Sequence, residues 1–119
     1  ARDVQDAMIA RVAKGVAEQL DPNAAALRLE IVAEAARHPG IAELVRSADR
    51  RSLRGLAETI RSARLAAGHA DSEQDTAALA EVIAAMFEGL EIRAVRNPDL
   101  DVTRVTALYR RLLQDLLRG

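Results

Sequence analysis

Four breaker clusters punctuate this chain, and no segment between them alternates like a strand. The clusters are Asp21-Pro22-Asn23, His38-Pro39-Gly40, Ala67 to Ser72 and Asn97 to Asp101. Each combines proline or glycine with turn-forming polar residues. The intervening stretches repeat their apolar residues at helical spacing. This punctuation predicts five helices, near 2–20, 23–37, 40–67, 73–96 and 101–118. The expected fold is all-α, a five-helix bundle. Asn23, Ser72 and Asp101 stand where N-caps belong, because a short side-chain oxygen can accept an orphan amide of the first turn. Gly68 fits the position just past a helix end.

Composition agrees with helix and excludes several function classes. The 119 residues include 25 alanines, and leucine, arginine and glutamate are also frequent. All four are good helix formers. One domain of this length can build a real core. There is no cysteine, so disulfide and thiolate chemistry are excluded. The net charge of −1 gives no basic field to collect nucleic acid. No apolar run reaches the roughly 18 residues of a membrane span, and no signal-peptide pattern opens the chain. Sixteen arginines against one lysine, with so much alanine, fit GC-rich bacterial coding. The chain starts ARDVQDAMIARVAKG, without an initiator Met and already at helical period. It reads as a fragment of a longer protein.

Helical wheels divide the segments by the width of their apolar faces. In 40–67, Ile41, Val45, Leu56, Ile60 and Ala63 share one side, and Arg46, Arg50, Arg54, Arg61 and Arg64 line the other. That arginine stripe reads as a solvated face with local ion pairs, since Glu43 and Glu58 lie beside it and no aromatics interleave. The last two segments differ. Leu79, Val82, Ile83, Met86, Phe87, Leu90 and Ala94 cover about half of one. Val105, Leu108, Tyr109, Leu112, Leu113, Leu116 and Leu117 cover half of the other. An ordinary surface helix needs an apolar stripe of only about 100°. The excess predicts a second surface to bury, either around a central helix of a monomer or in a candidate oligomer interface that uses Val82, Ala85, Gly89, Val105, Tyr109, Leu112 and Leu116. Gly89 continues a small-residue row with Ala78 and Ala85; a mid-helix glycine that costs about 1 kcal/mol is either offset by a close helix approach or simply tolerated. The 2–20 segment also carries a wide arc, from Val4 through Met8 and Val12 to Leu20.

No catalytic signature appears. His38 and His69 are loop residues without a shared face, too few for a zinc site. There is no phosphate loop and no nucleophile elbow. Neither an enzyme nor a cofactor is expected. Polar residues inside apolar arcs are more informative, because a buried polar group needs a partner. Arg28 falls between Ile31, Val32 and Ala35, and Asp49, Ser52 and Thr59 project among Val45, Leu56 and Ile60. The partner is either intramolecular, for example Arg28 with Asp49, or a ligand. The candidate ligand-binding set is Met8, Val12, Arg28, Asp49, Ser52, Leu56, Thr59, Met86 and Phe87. One aromatic in that set is too few for a cage around a cation.

The order of these pieces resembles the C-terminal regulatory domain of the TetR family of bacterial transcription repressors. The likeness spans about residues 24–118. It rests on Glu34-Ala35-Ala36-Arg37-His38-Pro39 at a helix end, Leu65-Ala66-Ala67-Gly68 closing a long helix, and an acidic-capped helix from Asp75 to Gly89-Leu90. The resemblance implies a cytoplasmic protein that binds a small-molecule effector among its middle helices. It implies a homodimer through a four-helix bundle, two helices per subunit, at 73–96 and 101–118. It also implies that DNA is met only through a helix-turn-helix domain, which these residues lack. The competing reading is a helical scaffold or adaptor without a ligand.

Overall fold

A computed structural model describes Ala10 and residues 22–119. The predicted helix at 2–20, with Met8 and Val12, lies outside the described residues, apart from Ala10. The rest is all-helical, with four helices: α1 Pro22–Ala35, α2 Pro39–Ala66, α3 Glu73–Arg96 and α4 Val102–Arg118.

The breakers act as local chemistry dictates. Ser72 caps α3, its hydroxyl accepting the Asp75 amide at 3.1 Å. Asp101 caps α4 the same way, accepting the Arg104 amide at 3.1 Å. Gly68 takes φ +89° after α2. Its N–H reaches Leu65 O at 3.0 Å, and the N–H of His69 reaches Arg64 O at 2.9 Å. That paired closure needs a left-handed residue, which glycine supplies without strain. Asn23 is a correction. Pro22 is already helical, so Asn23 lies inside the helix and not at its cap. At the His38-Pro39-Gly40 break, α1 closes with a tight turn and His38 is extended (φ −129°, ψ 106°). An extended residue before proline is the favoured geometry, and Pro39 then starts α2.

The core sits where α2, α3 and α4 meet. Ile60 and Ala63 of α2, Ala80 and Ile83 of α3, and Tyr109, Leu113 and Leu117 of α4 form one buried cluster. Leu56, Met86, Phe87 and Leu116 pack against it from the side. The Tyr109 hydroxyl donates to Ile83 O at 3.0 Å, which satisfies a polar group at full burial. Tyr109 is therefore a core residue, 3 % exposed, and not part of a free face. The apolar arc of α4 divides accordingly: Tyr109, Leu113 and Leu117 point inward, while Leu108 and Leu112 stay exposed. α1 packs on α2 and α3 at the far end, where Ala25 and Ala94 are buried.

Candidate functional site

Three helices enclose a cleft of about 490 Å³. α1 contributes Arg28, Leu29 and Val32; α2 contributes Val45, Arg46 and Asp49; α3 contributes Glu88, Glu91 and Ile92. The volume is in the range of small-molecule sites, roughly 300–1,000 Å³. Its apolar walls are aliphatic. Its polar groups come from all three helices, so any displacement of one helix alters the cleft.

The charge arrangement has a clear hierarchy. Glu91 follows Thr76, Ala80, Ile83 and Phe87 down the inner row of α3 and is buried. Its Oε2 accepts from Arg28 Nε at 2.6 Å. The side chains are 37 % and 8 % exposed for Arg28 and Glu91. This bond ties α1 to α3 across one edge of the cleft. Arg46 turns outward and, with Arg50, pairs with Glu43 at 3.4 and 3.2 Å. Those two guanidiniums hold the Glu43 carboxyl below its ordinary range. Partial burial pushes the Glu88 carboxyl up, reinforced by the negative charges of Asp49, Glu91 and Glu81. Glu88 thus borders the cleft and is not a purely solvent-facing residue.

Of the ligand-binding residues expected from the wheels, the cleft brings together Arg28 and Asp49. Leu56, Met86 and Phe87 pack on the core cluster instead. Ser52 is exposed, and Thr59 gives its hydroxyl to Gly55 O at 3.1 Å within its own helix. Met8 and Val12 lie outside the described residues. Glu91 is an intramolecular partner of Arg28, on the same cleft as Asp49, the example taken from sequence. Glu91 was legible in principle, as the acidic member of the row Thr76-Ala80-Ile83-Phe87-Glu91-Ala94.

A second feature is a set of apolar residues left exposed on α3 and on α4. On α3, Val82 is 51 % exposed, and Ala78, Ala85 and Gly89 stand exposed at the same helical spacing. A Cβ built on Gly89 would meet nothing within 4 Å. On α4, Leu108 and Leu112 are exposed and Val105 and Leu116 half-buried. A further groove of about 510 Å³ lies between α2 and α3, over Leu53, Ala57 and Ala80. Its rims carry Arg50, Arg54 and Arg61 against Glu58, Glu73 and Glu81. Among the described residues, no helix is long and apolar enough to cross a membrane. No cluster of histidine and carboxylate there could hold a metal.

The family model described as BetI-type transcriptional repressor, C-terminal, matches residues 2–118. The chain belongs to that family and is a TetR-type C-terminal domain. No curated protein and no solved structure matches the chain.

Proposed function

We propose that this chain is the effector-binding and dimerisation domain of a ligand-responsive transcriptional repressor. The cleft between α1, α2 and α3 takes a small molecule. The exposed apolar residues of α3 and α4 pair with a second copy, giving a dimeric four-helix bundle. The dimer sets the spacing of helix-turn-helix heads attached to the domain, which meet two operator half-sites. A ligand that fits one head spacing better than another shifts the population and changes operator affinity. The setting is the bacterial cytoplasm, and no chemistry is performed on the ligand.

The observation that carries this reading is the double use of α3. Glu88, Glu91 and Ile92 face the cleft, while Val82, Ala85 and Gly89 stand exposed. The family supports it, because C-terminal domains of TetR type typically dimerise and bind effectors. The direct test is a thermal-shift screen of metabolite-sized compounds against the protein and a cleft-filled Val45→Trp variant. The reading expects compounds that raise the melting temperature of the first and not of the second. Stabilisation that persists in Val45→Trp would place binding elsewhere. A complete absence of stabilising compounds would favour the adaptor.

A further inference from the structure

α3 carries small and apolar residues on two opposite sides. Its inner row, Thr76, Ala80, Ile83 and Ala94, is buried within the chain. On the other side Ala78, Val82, Ala85 and Gly89 follow one another at the heptad spacing of a coiled-coil seam. α4 carries a seam of the same spacing in Val105, Leu108 and Leu112, of which Leu108 is 57 % and Leu112 50 % exposed. Asp115 ends that apolar row.

Each seam has one charged edge, and the two edges are opposite in sign. On α3, Glu81 and Glu88 are exposed and stand immediately before Val82 and Gly89. Burial first, and then the charges of Asp49, Glu91 and Glu81, push the Glu88 carboxyl up, so this edge is short of cations. On α4, Arg104 and Arg111 are exposed and stand immediately before Val105 and Leu112. Arg104 is 87 % exposed and meets Asp101 across 3.3 Å, a loose contact in water. The seams differ in volume as well. α4 presents leucines, whereas α3 presents mostly small residues, and a Cβ built on Gly89 would meet nothing within 4 Å.

Like charges along facing edges repel and unlike charges attract, so the edges select the pairing. A second α3 against α3 would set glutamate beside glutamate, and a second α4 against α4 would set arginine beside arginine. α3 against the α4 of another copy matches charge and volume together. The direction follows too. Antiparallel helices bring the same edge of each seam together, whereas parallel helices would lay the glutamates beside Tyr109 and Leu116.

We propose that a second copy lays its α4 antiparallel along α3, with its two leucines over the small residues and its two arginines along Glu81 and Glu88. This pairing rests on the dimer reading above. A dyad makes the contact twice, because each copy offers both an α3 and an α4.

The test is sedimentation at low salt of the wild type, Glu81→Lys/Glu88→Lys and Arg104→Glu/Arg111→Glu. All four positions are exposed, and circular dichroism checks that each variant is folded. Each variant alone sets like charge against like, so its dimer dissociation constant should rise about tenfold or more. The neutral variant Glu81→Gln/Glu88→Gln should show a smaller rise of the same sign. Mixed in equal amounts, the two reversal variants restore opposite charges in both contacts and should form a heterodimer about as tight as the wild type. A reversal variant that dimerises as tightly as the wild type, or a mixture no tighter than either variant alone, would overturn the pairing and leave the dimer standing. A monomeric wild type would overturn the dimer reading and the pairing with it.

Discussion

Arg28→Ala isolates the bond that ties α1 to α3. The alanine removes the partner of a carboxylate that is 8 % exposed. Breaking a fully buried pair from one side costs about 3–5 kcal/mol, because the other charge stays buried and uncompensated. Arg28 is itself 37 % exposed, so water reaches one side of the pair and screens it. The expected loss is therefore below that range, about 2 kcal/mol. For a domain of this size that lowers the melting temperature by about 8 °C. Arg28→Met with Glu91→Leu should recover most of the loss, since an apolar pair of similar volume has no charge to strand. The assay is urea unfolding followed by circular dichroism, at one fixed protomer concentration because association shifts apparent stability. A double-mutant cycle removes whatever else Arg28 contributes. The coupling energy should be about 1.5 kcal/mol or more. Additivity within about 0.5 kcal/mol would refute the claim that this pair staples the cleft.

Burial pushes the Tyr109 phenol up to about 12, so the folded protein resists its ionisation. That raised value means stability is fully present below the unfolded pKa, roughly 10, and is lost as pH climbs from there through the folded value. Tyr109 is the sole tyrosine and there is no tryptophan, so an ultraviolet titration reports it cleanly; ionisation near 10 in the folded state would contradict its burial. Gly89→Ala should stabilise the single chain by up to about 1 kcal/mol, because the helix gains propensity and the Cβ meets nothing, yet weaken the dimer if Gly89 marks a close approach. Unfolding measured at low and high protomer concentration separates the two signs. The Arg64 guanidinium holds the Asp71 carboxyl below its usual range. Its stabilising effect is present above the unfolded pKa, roughly 4, and fades as pH falls through the lower folded value, so Asp71→Asn should flatten the acid limb of a stability–pH curve.

The helix ends were legible because their chemistry is local. Ser72, Asp101 and Gly68 each satisfy backbone groups within a few residues, and sequence spacing is enough to find them. The wheels grouped residues by face but could not show which neighbour covers each. On α4 they grouped Tyr109 with Leu112, which share an arc; only the third dimension shows that α2 and α3 cover the first and leave the second bare. Arg28 was recognised as an inward cation, but its partner stands 63 residues away on α3, and no spacing rule reaches that far. Arg64 was read with the solvated stripe, yet it pairs with Asp71 beyond the end of its helix at 2.7 Å, which a wheel cannot see.

The central claim is that the exposed apolar residues of α3 and α4 are covered by a second copy. Its most direct test is the mass in solution, by light scattering, of the wild type and of Val82→Glu/Leu112→Glu. Both positions are about half exposed in the single chain, so the charges should not unfold it. The account predicts a dimer at low micromolar concentration for the wild type, and a folded monomer with unchanged helicity for the variant. A wild-type monomer, or a dimer that tolerates both charges, would contradict it.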